Sequence, residues 1–220
     1  MSEPRKLEFY YIRHADTSGA SFADRDRCDV DITPLGEQQA ALLGERFAGR
    51  TFDAVLCSPL VRCVRTAAAV CNRLAERPVI EVVPELIEKG STENYPGCPL
   101  FYLTRYYDAL KKCPDHIFGT APACFPNVTD EDADARAAAL VQYLKKRFAY
   151  GQRVLLVSHG SFANHFLPAA VEMGAGNYIL SINNTSVSKV KYTDDGKQRI
   201  SFCNDFSHLR PLMPDYEFTV

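Results

Sequence analysis

Residues 153–158 read RVLLVS, and nothing in that run alternates between apolar and polar. A strand that is apolar on both sides must be covered on both faces, which means a sheet packed between layers of helix. Three more runs have the same character: LEFYYIR (7–13), FDAVLC (52–57) and PVIEVV (78–83). Helix signals stand between them. Thr33 and Pro34 open TPLGEQQAALLGERFAGR (33–50) as N-cap and first helical residue, and Leu35, Ala40, Leu42, Leu43 and Phe47 recur at amphipathic spacing. Ser58-Pro59 opens LVRCVRTAAAVCNRLAE (60–76). Thr129, with acidic residues in the turn that follows, opens TDEDADARAAALVQYLKKRFAY (129–150). SFANHFLPAAVEM (161–173) follows RVLLVS directly, with an interruption expected at Pro168. Strands alternating with helices predict an α/β fold: three layers, a mostly parallel sheet flanked by helices. Near the end, SVSKVKYT and QRISFC around DDGK predict a hairpin and so an antiparallel edge.

Residues 89–128 leave this alternation. They carry Pro96, Pro99, Pro114, Pro122 and Pro126 and a cluster of aromatics that includes Tyr95, Phe101, Tyr102, Tyr106 and Tyr107. The expectation is one domain over 1–220, with 89–128 inserted after the third strand as a cap over the site. A short helix around 99–112 and a small core of its own aromatics are expected within it.

Bulk properties narrow the partners. With 25 basic and 27 acidic residues in 220, no charge excess points to nucleic acid or a membrane surface. No window approaches the roughly 20 consecutive apolar residues of a spanning helix, and FYYI runs straight into Arg13 without forming a secretory leader. The eight cysteines include no C-x-x-C and no zinc-finger spacing, so they are read as reduced thiols in the cytoplasm. Oligomeric state is left open.

In such a sheet, the loops at the carboxyl ends of the parallel strands line one crevice. Here those loops carry Arg13-His14, Ser58-Pro59 with Arg62 a turn later, and Ser158-His159-Gly160. Two arginines and two histidines from three elements thus meet at one edge, two of them beside helix N-termini that favour anions. Arginine forks match phosphate oxygens, and a neutral imidazole can attack phosphorus. With that many cations and donors around a phosphoryl group, neither metal nor cofactor is required.

The same residues resemble a family, the histidine phosphatases of the phosphoglycerate mutase-like superfamily. Its Arg-His-Gly appears as Arg13-His14-Ala15, its Leu-Thr-x-x-Gly-x-x-Gln-Ala as ITPLGEQQA (32–40), and its Ser-Pro-Leu-x-Arg-x-x-x-Thr-Ala as SPLVRCVRTA (58–67). Its Ser-His-Gly falls at 158–160, and the tail FCNDFSHL (202–209) is similar to the ending of its smaller phosphatases. The resemblance implies that His14 is the nucleophile that becomes phosphohistidine and that Arg13, Arg62 and His159 complete the phosphate pocket. Thr17 and the Ser161 N–H are implied as further phosphate ligands. ELIEKG (85–90) matches the segment that carries the general acid, with Glu88 in that role and Glu85 as its rival. Ala15, in place of glycine, is expected to leave the pocket intact. Gly19-Ala20 stand where mutases have asparagine, which favours the phosphatase branch. The expected substrate is a small-molecule phosphomonoester or a phosphoprotein; the alternatives are a mutase-type phosphotransferase and a non-catalytic phosphate-binding protein. His165 and His208 are read as structural, and Arg65 as surface charge.

Overall fold

A computed structural model of the chain describes residues 4–18, 29–90, 97–115, 117, 129–173 and 179–213. In chain order the elements are β1 (Lys6–Arg13), α1 (Pro34–Arg46), β2 (Ala54–Cys57), α2 (Val61–Cys71), β3 (Ile80–Val82), α3 (Leu100–Leu103) and β4 (Leu110–Lys112). They continue with α4 (Asp130–Arg147), β5 (Arg153–Ser158), α5 (Gly160–Ala170), β6 (Val187–Thr193) and β7 (Gln198–Asp205). Short 3-10 turns lie at Pro84–Leu86 and Ser207–Leu212. The strands form one mixed sheet in the order β4-β3-β2-β5-β1-β6-β7. Pairing is parallel from β4 to β1, and the β6–β7 hairpin adds the antiparallel edge that DDGK predicted.

Successive strand residues point to opposite faces, which is why the runs could not alternate. Tyr10, Ile12, Val55, Cys57, Leu155 and Val157 pack with α1 and α2 on one face. Phe9, Tyr11, Leu56, Val154 and Leu156 pack with α4 and α5 on the other. The helix after β1 therefore lies on one face and the helix after its neighbour β5 on the opposite one. Between those two strands the connections part, and a crevice opens at their carboxyl ends. Cys63 and Cys71 are buried on α2 as small apolar residues.

Three sequence expectations change. Pro168 does not interrupt α5; it sits in the last turn, and the helix runs to Ala170. The helix expected over 99–112 is one turn, and the chain then returns to the sheet as β4. β4 pairs Lys111 beside Glu81 of β3, and a 3.0 Å ion pair joins them on a carboxylate also held by Arg147. Leu103 and Tyr107 are buried in the main core against α2 rather than in a separate one, while Phe101 is exposed. The rest of the expected cap, 91–96 with Tyr95, 116 and 118–128, lies outside the described residues, as do Gly19-Ala20. Among the described residues no helix is long and apolar enough to cross a membrane.

Candidate active site

The three polar strand ends stand level with one another. Arg13 is in register with Ser158, and Cys57 with Val157. The His14 N–H donates to the Ser158 carbonyl and the Ser58 N–H to that of Val157, both at 2.9 Å. The imidazoles of His14 and His159 then face each other edge-on, 5.2 Å between ring centres. Arg62, in the first turn of α2, places Nη2 3.3 Å from His159 Nδ1. Arg13 lies against the start of α5, so close that a Cβ at Gly160 would stand 3.1 Å from Arg13 Nε. Arg13 Nη1 donates to the Ile182 carbonyl, while its buried Nε meets no acceptor among the described residues.

Hydrogen bonding settles both tautomers. His14 Nδ1 is 2.8 Å from the Ala15 carbonyl, which can only accept, so Nδ1 carries the proton and Nε2 keeps its lone pair. Burial, then the charge of Arg62, lowers its pKa to about 3, so the ring is neutral. A guanidinium can only donate, so His159 Nδ1 accepts from Arg62 and Nε2–H faces Ser58 Oγ at 2.8 Å. Burial and the same arginine push His159 well below the ordinary histidine range. Cys63 Sγ lies 3.4 Å from His159 Nε2, but burial raises its pKa and keeps it a thiol.

Glu88 and Arg13 line one cavity of about 220 Å³, with Gly160, Ser161, Asn164, Leu180 and Ile182. His14 is not on that wall and keeps 5% of its surface exposed. The Glu88 carboxylate accepts from the Phe162 and Lys89 N–H groups, at 2.9 and 3.0 Å, and from that of Ser161 at 3.3 Å. The Ser161 N–H is thus directed to Glu88 here. Glu85 is fully buried and accepts from the Ile117 N–H, away from the crevice. Thr17 is half-buried and has no hydrogen bond to the other site residues among the described residues.

The loop that carries His14 is held from three sides, through contacts that spacing alone did not reveal. Asp16 accepts from Thr33 Oγ1 at 2.7 Å, its carbonyl accepts from the Thr33 N–H, and its N–H donates to Gln39 Oε1. Within ITPLGEQQA, Thr33 and Gln39 therefore clamp that loop through hydrogen bonds, and Ile32 and Ala40 pack on it. Thr66 of α2 accepts from the Ala15 N–H at 2.9 Å. Ala15 is not among the positive-φ residues and packs on Ile32 and Ala40, so the extra methyl is accommodated as expected. From the third side, Asn184 Nδ2 and the Thr185 N–H donate to the His14 carbonyl. Thr185 has φ of 56°, unusual for a β-branched residue. His208 Nε2 holds its hydroxyl at 3.0 Å, and Arg46, paired with Asp205, donates to His208 Nδ1. The structural reading of His208 stands, and its consequence reaches the active-site loop. His165 lies between Asp130 and Asp134 of α4, and Arg65 pairs with Asp31 and Glu37.

The family model of the histidine phosphatase superfamily (branch 1) matches residues 9–205. The chain belongs to that superfamily. A broad-specificity phosphatase of Saccharomyces cerevisiae is 29% identical over 202 residues, covering 88% of this chain and 83% of its own. A probable phosphoglycerate mutase of Salmonella choleraesuis is 26% identical over 216 residues, 92% of this chain and 95% of its own. Among solved structures, a mycobacterial hydrolase superposes with a TM-score of 0.65 at 21% identity, over 91% of this chain and 99% of that one. The histidine phosphatase-like motifs at 13–15, 32–40, 58–67 and 158–160 all fall inside the matched span. Among the described residues no three His, Cys, Asp or Glu come together in a way that could hold a metal ion.

Proposed function

We propose that this member of the superfamily is a metal-independent phosphomonoester hydrolase that works through phosphohistidine on His14. The observation that carries this is the state of His14: a neutral ring whose Nδ1 proton is committed to the Ala15 carbonyl, leaving Nε2 as a nucleophile beside Arg13, Arg62 and His159. Nε2 attacks phosphorus, the bond to the ester oxygen breaks, and Glu88 delivers a proton to the departing oxygen. The imidazolium formed keeps its Nδ1–H on the Ala15 carbonyl. Glu88, now a carboxylate, takes a proton from water; that water attacks phosphorus, the P–N bond breaks, and inorganic phosphate leaves. Arg13 and Arg62 match charge on the equatorial oxygens, and Arg13 Nε is a buried donor still available to one of them.

Glu88 is preferred to Glu85 because it shares a cavity with Arg13, whereas Glu85 faces the interior. Water, and not a second hydroxyl, is the proposed acceptor; the substrate is a small-molecule phosphomonoester or a phosphoprotein.

Purified protein is expected to release phosphate from p-nitrophenyl phosphate in the presence of a chelator and to form an acid-labile phosphoenzyme. His14→Ala removes both signals, and activity surviving in that variant would eliminate His14 as nucleophile. With 3-phosphoglycerate, hydrolysis should outrun interconversion even when the bisphosphorylated primer is supplied; the reverse order would mean a mutase.

A further inference from the structure

Arg136 is the largest of the wholly buried side chains, on α4 and outside every motif read from the sequence. Burial lowers its pKa to about 10, so it is still a cation at neutral pH. A buried charge is costly and an apolar side chain of similar volume is often no less stable, so its contacts matter. Nη1 donates to the Glu85 carbonyl at 2.9 Å and to the Ile87 carbonyl at 2.7 Å. The carbonyl between them, of Leu86, accepts from Ser158 Oγ at 2.7 Å. Three consecutive carbonyls are thus held from inside the protein, and the next residue is Glu88. The guanidinium also stacks 4.1 Å over the ring of Phe162, whose N–H donates to the Glu88 carboxylate.

We propose that Arg136 and Ser158 are positioning residues for Glu88, fixing both the backbone that delivers the carboxylate and the helix start that receives it. This rests on the reading of Glu88 as general acid. A positioned acid matters in proportion to how poor the leaving group is, because an alkoxide needs the proton and p-nitrophenolate does not. Loosening Glu88 therefore slows hydrolysis of an alkyl phosphate more than that of p-nitrophenyl phosphate. Loss of folded protein lowers both rates equally and leaves their ratio unchanged.

The test compares kcat/KM for p-nitrophenyl phosphate and an alkyl phosphate such as phosphoserine, in wild type, Arg136→Met, Arg136→Lys, Ser158→Ala and Glu88→Gln. The Arg136 variants should lose at least about tenfold more on the alkyl ester, a part of the roughly 10²–10⁴ that a general acid contributes. Lysine is expected to fail as well, since an ammonium lacks the planar guanidinium that lies over the Phe162 ring while Nη1 donates to both carbonyls. Ser158→Ala removes one hydroxyl and should show a smaller split of the same sign; it carries the test if the Arg136 variants do not fold. Glu88→Gln should show the largest split. If it shows none, the reading of Glu88 is wrong. If Glu88→Gln splits the two substrates while the Arg136 and Ser158 variants slow both alike, the positioning role is overturned.

Discussion

A single methyl group added at Gly36 tests how tightly α1 clamps the His14 loop. Gly36 lies in the first turn of α1, where alanine is ordinarily preferred by about 1 kcal/mol. Here the new Cβ would stand 2.5 Å from the Asp16 carbonyl oxygen, 3.1 Å from the Asp16 nitrogen and 3.0 Å from Ile32 Cβ. The nearest obstacle is backbone, which cannot rotate aside, so loop and helix must part by roughly 0.7 Å to restore ordinary contact. Separation loosens the Thr33–Asp16 pair of hydrogen bonds, each worth about 1 kcal/mol. After the propensity gain, Gly36→Ala should lower unfolding stability by about 1 kcal/mol. Activity should suffer more: a displacement approaching 1 Å two residues from His14 is expected to reduce kcat/KM by roughly ten- to a hundredfold. Gly44→Ala is the control, because its Cβ would meet the Ala69 carbonyl at 2.7 Å between α1 and α2, away from the loop. That variant should lose stability while its folded fraction retains wild-type kcat/KM. The assays are denaturant unfolding and p-nitrophenyl phosphate kinetics corrected for folded protein. Wild-type kcat/KM in Gly36→Ala, or equal losses in both variants, would refute the clamp.

Replacing His208 by alanine takes the donor from Thr185 Oγ1 and the acceptor from Arg46. It should cost about 2 kcal/mol of stability and lower kcat/KM for aryl and alkyl phosphates alike; a change in their ratio would contradict this account. Acid should destabilise the protein sharply. His14 (about 3), His208 (about 4) and His159 (well below the ordinary range) are held neutral in the folded state. The unfolded chain therefore binds their protons first, near pH 6.5. Stability is complete above that pH and falls as pH drops through 6.5 toward 4, with a slope approaching about 4 kcal/mol per pH unit for three such groups. Denaturant midpoints that stay flat from pH 7 to 5 would disprove it.

The parallel sheet and the pairing of Arg13-His14 with Ser158-His159 were legible because both follow from local pattern. A strand buried on both faces is apolar throughout, and the polar residue that ends it must sit at the sheet's edge. The N-caps at Thr33 and Thr129 were legible for the same reason, since a cap is satisfied by N–H groups two or three residues away. Arg62 followed from its place one turn past a strand end. The choice between Glu85 and Glu88 did not, because three residues of spacing carry no direction. The 3-10 turn at Pro84–Leu86 turns the first carboxylate inward and leaves the second in the crevice. Likewise β4 belongs to the sheet through Lys111 meeting Glu81, about thirty residues apart; no local pattern contains that contact.

By itself, then, the amino-acid order determined the layers, the strand ends and the cations that crowd there, because burial and capping act between near neighbours along the chain. What holds that cluster to a working geometry was decided only in three dimensions. Nothing in the charged run around Arg136 marks it out, yet the fold brings its Nη1 onto the carbonyls of Glu85 and Ile87, just before Glu88. The fold likewise brings the Thr66 hydroxyl and the Asn184 amide onto the backbone of Ala15 and His14. Such bonds join side chains to backbone groups far along the chain, and a backbone group has no residue type by which the sequence could announce it.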